Sequence, residues 1–222
     1  TIGDMLQYLH KNIYKHHEMP KSIVNLGFWP GGDRDGNPFV TTEITLKVAD
    51  RLRTSILKCY YSDIRKLKRK LTFKGVDTLL AEIEHKLYRS VFYSQGEIFI
   101  TIQAFEETLQ EIKKRVIEHH QSLYLDEIDL FLNKLEAFGF HFATLDIRQN
   151  SKIHRQVFEE IVQKMDVFPP NYASLSEIEK IEILSHLNGN LTENEVENEM
   201  TISTIGSIHA LKTIQQKNGE LG

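Results

Sequence analysis

The chain is 222 residues long, carries a formal net charge of −4 and is 41% hydrophobic. That length allows one large or two small domains with a sizeable buried core. The mildly acidic balance argues against a nucleic-acid partner, which calls for a clustered basic surface. A single cysteine, Cys59, excludes an internal disulfide and suits a reducing, cytoplasmic setting. No apolar run approaches the ~20 residues of a membrane span, and no secretory leader is visible. The chain opens on Thr1 and stops soon after a strong helical pattern, so it is expected to be a piece of a longer protein.

The first helical signal covers residues 2–14, with Ile2, Met5, Leu6, Leu9 and Ile13 on one face. A glycine-rich stretch follows at residues 25–45, NLGFWPGGDRDGNPFVTTEIT, around the only tryptophan, Trp29. Ile44, Val48, Leu52, Ile56, Tyr60, Ile64, Leu67 and Leu71 then form a long apolar stripe. Thr41 or Thr42 suits its N-cap, and Glu43 suits its first turn. Further helices are predicted over residues 77–93, then along Ile98, Ile102, Phe105, Leu109, Ile112 and Val116, then over residues 125–138, closed by Gly139. Residues 43–140 thus read as one helical insertion.

The period changes at FHFATLDIR, residues 140–148. Ala143, Leu145 and Ile147 alternate with Phe142, Thr144, Asp146 and Arg148, which predicts a short buried strand within residues 141–148. Helices resume over residues 151–165, 176–187 and 201–217. Residues 166–176 read as a loop. Residues 188–200 are acidic and poor in apolar side chains, and are expected to be a mobile loop within the helical segment 149–222.

Several chemistries compete for the glycine-rich stretch. A calcium loop fails on spacing: counted from Asp33, glycine comes fourth and the twelfth residue is Ile44, where a bidentate glutamate is needed. Neither nucleotide-binding glycine signature is present. A purely architectural turn remains open, since Asp33 or Asp35 can pin backbone amides. Yet Arg34 between two aspartates is costly to desolvate unless paired, and that pairing is what a substrate-holding guanidinium requires. Arg148, at the C-terminal end of the predicted strand, has Asp146 on its own side. In a parallel barrel such strand ends form the catalytic face. His16-His17 and His119-His120 are adjacent and lack metal-ligand spacing. The basic run at residues 65–71 reads as a solvated helix face.

Together, FWPGGDRDGNPFVT (residues 28–41) and FGFHFATLDIRQNSKIH (residues 138–154) resemble the signature segments of phosphoenolpyruvate carboxylase, and the tail TISTIGSIHALKTIQQKNGELG is similar to the helix that leads to that family's next barrel strand. Phe28 and Pro30 depart from the family pattern around the tryptophan, and Asn150 stands where an acidic residue is usual. The family's catalytic-histidine motif would lie upstream. Its metal-binding carboxylates and a second glycine loop would lie downstream.

The resemblance implies a mainly α-helical chain that is part of a (β/α)8 TIM-type barrel, with few short strands and large helical insertions. It implies carboxylation of phosphoenolpyruvate with bicarbonate to oxaloacetate and phosphate, a magnesium or manganese ion whose ligands lie outside this chain, and a cytoplasmic homotetramer with no nucleic-acid or membrane partner. The piece alone is expected to be inactive, and its open strand edges favour self-association. Arg148 would bind phosphate or carboxyphosphate, with Asp146 holding it. Arg34 would be a second substrate-side charge or a brace acting through Asp33 and Asp35, and the two arginines would line one cavity. Trp29 would wall the pocket near bicarbonate. Gly31, Gly32 and Gly36 would let the backbone approach the substrate, with Asn37 on the same loop. Gln149 and His154 would support the site. The alternative is a non-catalytic helical scaffold or an anion-binding regulatory module.

Overall fold

The computed structural model describes residues 5, 8–9, 12–13, 25–37, 39–93, 99–165, 167–187 and 196–220. Most of the predicted first helix, with Ile2 and Leu6, lies outside them, as do His16, His17 and residues 188–195 of the acidic loop. The described chain is mainly α-helical. In order it runs β1 (Gly27–Phe28), α1 (Thr42–Lys70), α2 (Val76–Phe92), α3 (Ile102–His119), α4 (Leu125–Phe138), β2 (Thr144–Leu145), α5 (Ser151–Lys164), a 3-10 turn (Tyr172–Ser174), α6 (Glu177–His186) and α7 (Glu199–Asn218). It divides into two compact units. One comprises Val48–Leu145 with the chain before Trp29 and after Thr213; the other comprises Trp29–Lys47 and Asp146–Thr213.

The first unit is built on apolar stripes. Tyr60, Ile64, Leu67 and Leu71 of the α1 stripe meet Val76, Leu80, Ile83 and Leu87 from α2, Phe105, Leu109, Ile112 and Val116 from α3, and Ile128, Phe131 and Leu135 from α4. Each set repeats at three or four residues, so each helix buries one face. Full burial of such a side chain contributes about 1.5–3 kcal/mol. Tyr60 lies at the centre, edge-on to Phe105 with ring centroids 5.8 Å apart. Its hydroxyl donates to the Gly139 carbonyl oxygen at 2.8 Å, with the Lys134 carbonyl oxygen 3.3 Å away. Burial pushes its pKa well above the ordinary tyrosine value, so it remains a donor.

The basic run is a solvated face as expected, with Arg65, Lys66, Arg69 and Lys70 exposed, and two of its lysines also reach other helices. Lys68 pairs with Glu84 on α2 at 2.7 Å, and Lys70 with Glu127 on α4 at 2.7 Å. These lysines tie helices together. His120 stacks on Phe73 with centroids 4.2 Å apart, a packing role.

Two sequence expectations need correction. Ile44 is 40% exposed, whereas Thr45 is buried. The Thr45 hydroxyl donates to the Gly31 carbonyl oxygen at 2.6 Å, which turns residue 45 inward and leaves its neighbour, about 100° around the helix, facing water. The predicted strand is also shorter than residues 141–148. Phe142 has φ 68°, a left-handed conformation from which an extended run cannot start. Pairing therefore begins at Thr144, with Gly27 opposite Thr144 and Phe28 opposite Leu145 in parallel. The expected alternation holds in burial only over residues 143–145, with Ala143 and Leu145 buried and Thr144 exposed, whereas Phe142, Asp146 and Ile147 are all half-buried.

Candidate functional site

The second unit contains the glycine-rich loop from Trp29 onward and the chain from Asp146 onward, laced together by backbone hydrogen bonds. The chain turns at Trp29, whose carbonyl accepts from the amides of Gly32 (2.9 Å) and Asp33 (3.2 Å). Gly31 sits at φ 85°, a conformation that side-chain-bearing residues adopt at a cost. An isolated parallel bridge then joins Asp33 to Arg148. The Arg148 amide donates to the Gly32 carbonyl at 3.0 Å, and the Arg34 amide donates to the Arg148 carbonyl at 2.9 Å. Any movement of the loop must therefore carry Arg148 with it.

The side chains of the two arginines go to different partners. Arg148 donates from Nε to Asp146 Oδ2 at 2.8 Å, and its guanidinium carbon lies 4.2 Å from the centroid of the Trp29 ring. Among the described residues nothing is bonded to its two Nη nitrogens, and the side chain is 46% exposed. Asp146 and Trp29 thus hold the guanidinium by one edge and one face, leaving its two-pronged end open. Such a fork meets two oxygens of a phosphate at once.

Arg34, in contrast, donates from Nη1 to the Ser203 carbonyl oxygen at 3.0 Å and from Nη2 to Ser203 Oγ at 2.5 Å. Burial lowers its pKa below the ordinary arginine value. Bracing of Arg34 through Asp33 and Asp35 is not what the side chains do: among the described residues its guanidinium is bonded to Ser203. Asp35 instead accepts from Asn150 Nδ2 at 3.3 Å. The loop and the strand end are adjacent in backbone, but the two guanidinium groups do not share a ligand.

The remaining candidates take quieter positions. Gly32 is buried, and Gly36 turns at φ 71°. Asn37 Oδ1 accepts from the Phe39 amide at 3.1 Å, which shapes the loop's exit. Gln149 Oε1 accepts from the Asn150 amide at 3.0 Å. His154 is exposed on α5. Asn150 caps α5, with Oδ1 accepting from the Lys152 amide at 2.9 Å.

Sequence reasoning missed Ser203, Thr45 and the capping role of Asn150. The departure at Asn150 was visible, and Asn followed by Ser at a helix start is a cap signal. Nothing in the sequence ties Arg34 to a serine 169 positions away. Among the described residues no group of three or more His, Cys, Asp or Glu is arranged to hold a metal ion. No described helix is long and apolar enough to cross a membrane.

The family model described as phosphoenolpyruvate carboxylase matches residues 1–92 and 76–222. A phosphoenolpyruvate carboxylase of Nitrosomonas eutropha is 30% identical over 202 residues, which is 73% of this chain and 22% of that protein. One from Shewanella halifaxensis is 26% identical over 212 residues, 81% of this chain and 24% of that protein. One from Corynebacterium glutamicum is 26% identical over 204 residues, covering 74% and 22%. The chain therefore spans less than a quarter of the length of these curated relatives.

Proposed function

Because the chain belongs to the phosphoenolpyruvate carboxylase family, we propose that it supplies part of an active site that carboxylates phosphoenolpyruvate with bicarbonate, giving oxaloacetate and phosphate. The observation that carries this reading is the open fork of Arg148, held by Asp146 and stacked on Trp29. Every species in the reaction is anionic. A guanidinium fixed before the substrate arrives stabilises developing charge without reorganising.

In the proposed sequence a bicarbonate oxygen attacks phosphorus, and the bond from phosphorus to the enol oxygen breaks. Carboxyphosphate and the enolate of pyruvate result. Carboxyphosphate then splits into carbon dioxide and phosphate, and the enolate carbon attacks carbon dioxide to form the new carbon–carbon bond. Arg148 holds two phosphoryl oxygens through the first two steps. Trp29 borders the carbon dioxide and excludes water, which would otherwise protonate the enolate to pyruvate. Trp29 is 56% exposed in this chain, so the remaining walls of the pocket come from elsewhere in the polypeptide. Among the described residues no cluster of His, Cys, Asp or Glu fits the family's divalent ion.

The parallel pairing of β1 with β2 across a long helical excursion supports reading them as strands of a (β/α)8 barrel. A soluble cytoplasmic homotetramer is the assembly we assign to the complete protein. The test is an assay of the polypeptide that carries this chain. Oxaloacetate and phosphate should form in equal amounts, and only with bicarbonate present. Phosphate release without bicarbonate-dependent oxaloacetate would sink the assignment.

A further inference from the structure

The bonds of Arg34 give it a different task from Arg148. Both ends of its fork are committed to one residue, Ser203, in the first turns of α7. That part of α7 is itself anchored. Thr201 and Thr204 are buried, and Thr201 Oγ1 donates to Glu160 Oε2 on α5 at 2.5 Å. The N-cap of α5, Asn150, in turn donates to Asp35 in the glycine-rich loop. The side chains thus close a ring: Arg34 to Ser203, along α7 to Thr201, across to Glu160, along α5 to Asn150, and back to Asp35. The loop is held at two consecutive residues, Arg34 by α7 and Asp35 by the N-cap of α5, and at Gly32 and Arg34 its backbone bonds to that of Arg148.

We propose that Ser203 is a positioning residue for this site. By accepting both prongs of the Arg34 guanidinium, it fixes residues 29–37 and, through the backbone bonds at Gly32 and Arg34, sets where Arg148 presents its open fork. The assignment rests on reading Arg148 as the substrate-facing group. It removes Arg34 from the substrate ligands and makes it the loop's anchor. A hydroxyl is needed at position 203 because the carbonyl oxygen satisfies only one prong. Alanine would leave the second prong without its partner in a partly buried place, and such loss loosens the geometry of everything bonded to it.

The test uses the full-length polypeptide and two readouts. Hydrogen exchange over residues 29–37 needs no catalytic activity. Ser203→Ala and Arg34→Ala should each raise it about tenfold, and the double variant no further, because both remove one interaction. Ser203→Thr, which keeps the hydroxyl, should stay within about twofold of wild type. Exchange in α2–α4 should not change, which separates positioning from general destabilisation. In kinetics, Ser203→Ala should lower kcat/KM for phosphoenolpyruvate about tenfold. Wild-type exchange at residues 29–37 in Ser203→Ala, or effects of the two single variants that multiply in the double, overturns the proposal. The functional reading fails separately: with no carboxylation by the wild type, the exchange result still decides the role of Ser203.

Discussion

The helical core and the glycine-rich loop are held by opposite means. Around Tyr60, helices α1–α4 present apolar side chains to one another, and many small contributions add up. The loop beside Arg148 takes its shape from backbone bonds within itself and to Arg148, and from single side-chain hydrogen bonds to partners 115 and 169 positions away along the chain. A core of the first kind tolerates apolar substitutions of similar volume. A site of the second kind is sensitive to the loss of one polar atom, since each such atom has no substitute nearby. Stability and site geometry are therefore carried by different residues, and variants should separate them.

The largest effect on stability should come from Phe105, fully buried among Tyr60, Phe131 and Phe140. Phe105→Ala should cost about 3–5 kcal/mol of unfolding free energy, measured by urea denaturation, as expected when a large core ring leaves a cavity. Tyr60→Phe keeps the ring but strands the Gly139 carbonyl, and should cost about 1–2 kcal/mol in the same experiment. Asn150→Ala removes both the α5 cap and the bond to Asp35. It should cost about 1 kcal/mol, while raising hydrogen exchange over residues 29–37 more than either core variant does. Equal exchange in all three variants would erase the distinction between the two regions.

The smallest effect is electrostatic. Burial pushes the Asp63 pKa up, but hydrogen bonds from Lys134 and Lys66 and the charges of those lysines outweigh it, so the net shift is downward. A carboxylate whose folded-state pKa is depressed contributes stability above its unfolded pKa of about 3.9, and loses it as pH falls through the folded value. The Lys134–Asp63 pair, 2.8 Å apart and partly solvated, should contribute about 0.5–1 kcal/mol near neutrality. The unfolding free energies of wild type and Asp63→Asn should differ at neutral pH and converge in acid. A difference that persists into strong acid would contradict the assignment.

Much of the helical architecture was legible because its determinants are local. The stripe along α1 and the closing glycine of α4 both lie within a few residues of what they control. What escaped depended on distance or on competition. The strand looked longer than it is because alternation does not reveal that Phe142 is left-handed, its N–H donating a hydrogen bond to the Phe138 carbonyl oxygen at 2.8 Å. Ile44 fitted the stripe by spacing, but the hydroxyl of Thr45 claimed the inner face. At the site, the motifs marked the two segments, and the Asp146–Arg148 spacing suggested a held guanidinium. That Arg34 turns to Ser203 depends on how α7 returns to the loop, which no local pattern encodes.

Steady-state kinetics of Arg148→Ala in the polypeptide carrying this chain test the central claim most directly. If Arg148 presents its open fork to the phosphoryl group, kcat/KM for phosphoenolpyruvate should fall by about a thousandfold or more, while the thermal midpoint stays within about 2 °C of wild type. A variant that keeps near-wild-type kcat/KM would contradict the claim, because the substrate would then be held by some other cation.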